Sequence, residues 1–532
     1  MAASVAAPTQ TMTGGEAVVR ALRAGGTELV FSIPGTHTLP IHRHLTANGI
    51  RHVTPRNEQG GGYAADGYAR VSGRAGVVVA TSGPGVINTA TPAATAYADS
   101  VPLLVVSPAM PTDVEGRDTG YLHESKDQRG AMEALVSWSR RADSPADAAA
   151  AIADAFDHFA TRRPRPVHVE VPVDVLGASE QVGLRAPHSD DAAATPDDEA
   201  LDRAASLLAR AERPALVLGG GARGATDAAT RLAERLGAPV VTTVNGKGVV
   251  DERHPLSLGA QIRLPATQRW LRGRDVVLAV GTELGESDLW GPPLQLGGRL
   301  IRVDIDPGQL HKNAAADIAL ARDARTVLEA LVDALPPRAA ANEDLARARE
   351  AIRAEALADG EPFLPLAAAL DEALGDDGIL AGDSTMASYY GAVHFVPMDA
   401  RRRWIYPTGY ATLGYALPAA IGAKLAAPER PVIALAGDGG LLFTVAELAT
   451  AAELGVPLPV VVPNNNGYGE IRAQMIEEQI APIGVDLRVP DLPALGRAFG
   501  GDGLRVDDSA RLAPALREAL ERPGPTVIEI PA

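Results

Sequence analysis

Short apolar runs that stop abruptly, each followed by a stretch with helix-spaced apolar residues, constrain this chain more than any other feature. ELVFSI, GVVVATS, PLLVVS and PVHVEV come first, PALVLGG, PVVTTV, DVVLAVG and RLIRVDID follow, and GILAGD, PVIALAG, LPVVVPN and TVIEI close the series. Runs this short and uninterrupted read as strands buried on both faces. A sheet covered on both faces is a parallel one wrapped by helices. Two stretches break the rhythm: the polar APHSDDAAATPDDEA from Ala186 to Ala200, and a helix-like segment rich in Ala, Arg and Glu from Pro336 to Gly360. The expected architecture is α/β, with three parallel-sheet domains over residues 12–180, 201–335 and 361–532, linkers at 181–200 and 336–360, and a disordered start over 1–11. A chain of 532 residues is also too long for one core, and 46% hydrophobic residues can furnish several.

The formal net charge of −17 disfavours nucleic acid or an anionic membrane as partner, because both need a basic surface to displace counterions. There is no cysteine, so disulfides, thiolate metal sites and cysteine nucleophiles are excluded. The opening MAASVAAPTQTM lacks the basic and apolar regions of a signal peptide, and no run approaches the length of a membrane span. A cytoplasmic location is the expectation.

Open parallel sheets bind ligands beyond the carboxyl ends of their strands. PVIALAG runs into Asp438-Gly439-Gly440, and LPVVVP stops at Asn464-Asn465-Asn466-Gly467-Tyr468. A hard cation such as Mg2+ takes carboxylate, amide and carbonyl oxygens, with phosphate oxygens completing its shell. The glycines after Asp438 let backbone amides approach a phosphate, and a helix beginning near Leu441 would point its dipole the same way. Alone, GDGG and NNNG are both ordinary turn chemistry. Together, 27 residues apart and each behind a strand, they make a far more specific pattern.

RHVTPRNEQGGGYAADGYARVSG sets Glu58 between a short strand, Arg51 to Pro55, and a small-residue helix. A carboxylate buried there can hold a proton and hydrogen-bond a ring nitrogen, although a lone acid at a helix start is equally a dipole partner. Glu58 is not alone. FSIPG, NEQGGGYAADGYAR, ATSGPGVIN and AYADSVPLL follow in order, and with GDG and NN at their spacing the whole chain resembles the thiamin-diphosphate-dependent acetohydroxyacid synthase and pyruvate decarboxylase superfamily. The resemblance implies a pyrimidine-binding, a central Rossmann-like and a diphosphate-binding domain. It implies thiamin diphosphate and Mg2+ as cofactors, with Asp438, Asn465 and the carbonyl of Gly467 as metal ligands. Glu58 would then protonate the aminopyrimidine so that the ylide forms, and a 2-oxo acid would lose carbon dioxide through an enamine.

By the same resemblance, Leu413 is the apolar wedge under the cofactor, the carbonyl of Ala411 accepts from its amino group, and Asp383, Ser384 and Thr385 contact the diphosphate beside Gly437, Gly439, Gly440 and Tyr468. The family's sites lie between subunits, which implies a homodimer or homotetramer. Gly219 to Gly224 fits GxGxxG, yet the next strand ends Thr243-Val244-Asn245 without the acid that would hold a ribose, so a nicotinamide dehydrogenase is a weak alternative. The flavin-dependent members carry Gly-Met-His-Gly where this chain has LSLGAQIRLPAT, and FAD is not expected.

The substrate is less legible. Pyruvate decarboxylases have Asp where this chain has Thr36, and a His-His pair where it has a lone His123; benzoylformate decarboxylases have His where it has Thr81. IPGTHTLPIHRHL, LHESKDQR and GDSTMASYYG look most like the 5-guanidino-2-oxopentanoate (2-oxoarginine) decarboxylase branch. His37 and His123 would then face the reacting carbon, and Glu124, Asp127 or Glu470 would pair with a guanidinium. An acetolactate synthase-type carboligase and a non-catalytic cofactor-binding paralogue are the alternatives, and intact Glu58, Asp438 and Asn465 speak against the second.

Overall fold

The computed structural model describes residues 9–186, 198–338 and 344–532. Each expected domain is built on an all-parallel sheet. In the N-terminal sheet the spatial order is Arg51–Val53, Leu29–Ser32, Gly76–Val79, Leu103–Ala109, Val167–Pro172 and Ser139–Arg141. The C-terminal sheet runs Arg403–Ile405, Ile379–Gly382, Val432–Leu435, Leu458–Asn464, Pro525–Pro531 and Asp502–Arg505. Numbered within each domain, both orders are second, first, third, fourth, sixth, fifth, so the two domains share one topology. The central sheet runs Val240–Thr242, Pro214–Leu218, Val276–Val280, Arg299–Asp304 and Ile318–Ala321.

The apolar runs are the inner strands, and the side chains of Gly76–Val79, Leu103–Ala109 and Pro214–Leu218 are buried throughout. The edge strands Ser139–Arg141, Arg403–Ile405 and Asp502–Arg505 escaped the sequence reading because they are short and carry charge, as edges tend to. The boundaries also need correction. Thr9 to Thr11, expected to be disordered, belong to a strand Thr9–Thr13 that pairs antiparallel with Ser179–Gly183, which itself runs into the expected linker 181–200. Residues 1–8 and 187–197 lie outside the described residues, and Asp198 opens a helix to Arg210. In the second expected linker, the helix Leu345–Gly360 packs Leu345, Ala348, Ile352 and Ala356 into the central core.

The N- and C-terminal domains meet through the helices Glu58–Ser72 and Ala416–Ala426. A Cβ on Gly67 would collide with the carbonyl of Ala419, and one on Gly422 with that of Ala64. The run of Gly and Ala is thus a close backbone crossing. Arg70 ties the joint: its guanidinium reaches Asp66 and Asp99 at 2.6 and 2.8 Å, and Tyr415 donates to Asp66 at 2.5 Å. Among the described residues no helix is long and apolar enough to cross a membrane.

Candidate active site

At the carboxyl end of Val432–Leu435 the chain turns through Gly437 into a single helical turn, Asp438–Leu441; the next helix is Glu447–Leu454, later than the start near Leu441 that was expected. Beyond the neighbouring strand, Asn464 is spent on structure, donating to Glu529 at 2.9 Å and accepting from the amide of Asn466 at 3.0 Å. Asn466 at φ 61° and Gly467 at φ 151° then fold the loop back, and a side chain on Gly467 would strike the carbonyl of Val485. The amide of Gly467 donates to Asp438 Oδ2 at 2.8 Å, while Asn465 Oδ1 is buried without a partner. Burial raises the pKa of Asp438. A buried amide oxygen left unpaired close to a buried carboxylate is costly, and a hard divalent cation is the ligand that satisfies both. The donor set therefore fits the metal that the sequence implied.

The glycines behind Asp438 form a cradle. A Cβ on Gly437 would lie 3.0 Å from Thr385 Oγ1, on Gly439 2.8 Å from the Tyr468 ring, and on Gly440 3.0 Å from Asp383 Oδ2 and 3.8 Å from Leu413. The expected diphosphate residues thus converge on one place. Asp383 is buried there and accepts from the amides of Ser384 and Gly414 at 2.9 Å and of Tyr415 at 3.4 Å. Burial pushes it up to about 6. Its carboxylate fixes the turn that presents Leu413. Two residues earlier Ala411 sits at φ 48°, a left-handed conformation that an alanine holds only where its surroundings impose it.

In the N-terminal domain Asn57 caps the helix Glu58–Ser72 by accepting from the amide of Gln59 at 2.8 Å, and Glu58 is its first residue, only 8% exposed. Asn88 donates to Glu58 Oε2 at 2.9 Å. In the same domain Thr36–Thr38 forms a short 3-10 turn, with Thr36 exposed and His37 buried. His37 Nδ1 lies 2.6 Å from Ser82 Oγ, which lies 3.5 Å from His123 Nδ1; the two rings are 5.3 Å apart, with Tyr121 stacked on His37. Burial first, then the neighbouring His123, lower the pKa of His37. Thr81 packs against Gly35 and Gly85, and its hydroxyl is buried without a partner.

His37 and His123 are thus brought together as expected, but the hydroxyl between them was missed. Ser82 and Asn88 both lie in ATSGPGVIN, so the signal was present as a motif without assigned atoms. Gln128 was also missed: its Oε1 accepts from the amide of Gly83 at 2.7 Å, and its Nε2 donates to Glu170 at 3.0 Å, bracing the Ser82 turn from behind.

Of the three acids considered for a cationic substrate, two are engaged locally. Glu124 accepts from the amides of Thr119 and Tyr121 at 2.9 and 3.0 Å, and Asp127 caps the helix Gln128–Glu133 through the amide of Gly130 at 2.7 Å. Glu470 differs. It opens the helix Gly469–Glu477 three residues after Gly467, is half-buried, accepts from Tyr390 at 3.3 Å and Gln474 at 3.0 Å, and has no salt bridge among the described residues. Tyr389 and Tyr390 stand beside it with ring centroids 4.7 Å apart.

In the central domain the glycines of the GxGxxG stretch are explained by packing, since side chains on Gly219 or Gly221 would run into the Gly281 turn. Arg223 folds inward to donate to the carbonyls of Asn245 at 2.7 Å and Lys247 at 3.0 Å. A cavity of about 520 Å3 opens here, lined by Arg70, Asp99, Arg163, Asp288, Asp304 and Arg403, among others, and none of the residues assigned above to the metal, diphosphate or substrate lines it.

Comparison with known proteins identifies the three domains. Residues 12–131 match the N-terminal TPP binding domain of thiamine pyrophosphate enzymes, 201–331 their central domain, and 381–530 their C-terminal TPP binding domain. The chain is 45% identical to a probable 2-ketoarginine decarboxylase of Pseudomonas aeruginosa, over 98% of this chain and 94% of that one. It is 34% identical to the acetolactate synthase large subunit of Parasynechococcus marenigrum, over 98% and 88% of the two chains. With that of Corynebacterium glutamicum it shares 32% identity over 97% and 86%. Three matched domains on three parallel sheets make the assignment plain: the chain belongs to the thiamine pyrophosphate enzyme family.

Proposed function

We propose that this protein uses thiamin diphosphate and Mg2+ to decarboxylate a 2-oxo acid carrying a guanidino group, 5-guanidino-2-oxopentanoate. The observation that carries the substrate is Glu470, a half-buried carboxylate beside two tyrosines and close to the metal set, with no salt bridge of its own among the described residues. A planar cation between a carboxylate and aromatic faces is well held. The name of the Pseudomonas aeruginosa relative points to the same compound.

Asp438, Asn465 and the Gly467 carbonyl would hold Mg2+; Gly437, Gly439, Gly440, Ser384, Thr385 and Tyr468 would surround the diphosphate, with Leu413 and Ala411 toward the rings. When bound, thiamin diphosphate supplies the carbon nucleophile that adds to a 2-oxo carbon and the electron sink that lets carbon dioxide leave. Glu58, oriented by Asn88, holds the proton exchanged with the aminopyrimidine. His37, Ser82 and His123 form a row of exchangeable protons for the substrate side, with Thr36 and Thr81 lining it. No flavin is assigned to the central domain, where Arg263 of LSLGAQIRLPAT lies 4.3 Å from the Trp290 ring centroid.

We read the assembly as a homodimer or homotetramer in which Glu58 of one subunit completes the C-terminal site of another. Exposed Leu122, Tyr410, Phe443, Ile471, Ile476 and Ile480 support a covering partner. The test is a panel of 2-oxo acids with purified protein, thiamin diphosphate and Mg2+, measuring carbon dioxide and the organic product separately. Preferred turnover of the guanidino acid to its aldehyde is expected. Turnover of pyruvate to an acetohydroxyacid would instead establish the carboligase reading that the acetolactate synthase relatives favour.

A further inference from the structure

We infer that Glu447 is a positioning residue that ties each subunit's cofactor anchor to its own Glu58, and thereby to the site of the neighbouring subunit. This rests on the proposed sharing of sites between subunits. Glu447 is 2% exposed, and its Oε1 accepts from the amides of Arg56 at 2.9 Å and Asn57 at 3.1 Å, the two residues that lead into Glu58. Thr450 donates to Oε2 at 2.7 Å. A Cβ on Gly60 would collide with this carboxylate, so the glycine is what lets an acid of the C-terminal domain reach the first turn of an N-terminal helix. There it meets free amides and the positive end of the helix dipole.

The contact continues backward without a gap. The amide of Glu447 donates to the carbonyl of Thr444 at 2.9 Å, Thr444 Oγ1 donates to the carbonyl of Gly414 at 2.7 Å, and the amide of Gly414 donates to Asp383 at 2.9 Å. Asp383 and Gly414 flank Leu413, and Glu447 follows Asp438 on one continuous segment. The loops proposed to grip the cofactor and the turn that presents Glu58 are therefore one hydrogen-bonded assembly within a chain. If Glu58 acts across the subunit boundary, this assembly links two sites.

Complementation tests it, using heterodimers purified through two different tags. The control pairs D438A with E58Q: if sites are shared, the E58Q subunit keeps its anchor and receives Glu58 from the D438A subunit, so one of two sites works and about half the activity returns. The test pairs D438A with E447A. The E447A homodimer is expected to lose on the order of 100-fold in kcat, as small misplacements of catalytic groups do. Its affinity for thiamin diphosphate should stay within threefold, and amide hydrogen exchange over residues 56–60 of the cofactor-free protein should rise. The D438A/E447A heterodimer is then expected to recover as the control does, because the E447A subunit keeps its anchor and takes Glu58 from a subunit with Glu447 intact. E447Q, whose Oε1 still accepts both amides, should regain most of what E447A loses.

Recovery in the control but not in the test would mean that Glu447 serves its own subunit's cofactor pocket, which overturns the inference. Failure of the control itself would remove the sharing of sites and the coupling with it. Unchanged hydrogen exchange in E447A would refute the positioning role directly.

Discussion

Replacing Glu470 by Gln removes a charge while keeping the volume and the acceptor oxygen that Tyr390 and Gln474 use. If that charge holds the guanidinium, the loss is one ion-assisted hydrogen-bonded contact, about 1.5–3 kcal/mol. At roughly 1.4 kcal/mol per factor of ten, kcat/KM for 5-guanidino-2-oxopentanoate should fall about 10- to 150-fold. Glu470 is half-buried, and solvent screening pulls the figure toward the lower end. The assay compares kcat/KM for the guanidino acid with that for an uncharged 2-oxo acid of similar length, in wild type and Glu470→Gln. The uncharged acid should lose less than threefold or gain, and cofactor affinity should not move. Equal losses on both substrates would show that Glu470 acts on the metal loop and not on the substrate, and an unchanged guanidino substrate would refute the reading outright.

Glu58→Gln should retain thiamin diphosphate in equilibrium dialysis yet lose at least about 100-fold in kcat, since proton transfer goes and the anchor stays; full activity would contradict the role. Exhaustive dialysis against EDTA, or Asp438→Ala, should release the cofactor, with Mg2+ restoring binding in the first case only. Ser82→Ala leaves His37 and His123 without their shared hydroxyl; the NMR titration of His37 should shift, and turnover should fall about tenfold or more. Burial pushes Glu170 up to about 7 from an ordinary value near 4.5. A carboxyl raised on folding gives stability that is full below the unfolded pKa and lost as pH rises through the folded one, here between about pH 4.5 and 7. The thermal midpoint should therefore drop across that window by an amount worth up to about 3 kcal/mol, and Glu170→Gln should flatten the slope.

The inner strands, the glycine loops at Asp438 and Asn465 and the buried position of Glu58 were legible because each is local: a continuous apolar run, a glycine turn at its end, an acid at a helix start. What escaped depends on residues far apart in the chain. Ser82 matters only because a turn at Thr36–Thr38 brings His37 within 2.6 Å, and Asn88 only because its helix faces Glu58. Glu124 and Asp127 looked equivalent to Glu470 as isolated acids. Their neighbours' amides, not their own type, decide that they serve the loop. The edge strand Arg403–Ile405 was missed because its sheet partner, Ile379–Gly382, supplies the hydrogen bonds that its own sequence does not advertise.

The close crossing of Glu58–Ser72 with Ala416–Ala426 fixes the N- and C-terminal domains of one chain against each other, and with them two turns that in the proposed assembly serve different sites. Glu58 begins one helix, and Leu413 to Tyr415 lead directly into the other. Tyr63 and Thr412 bond at 2.7 Å between them, and Asp66, Arg70 and Tyr415 close the joint farther along. Backbones in contact leave no side-chain layer to slide or repack, so relative motion of the domains would have to break buried polar bonds as well as close packing. His123 and Glu470 sit on segments outside this crossing, and each is held by residues far along the chain, His123 by Ser82 and His37 and Glu470 by Tyr390. In the proposed assembly this rigid pair of helices would fix one site against the other, because Glu58 would serve one site and the Leu413 turn of the same chain the other.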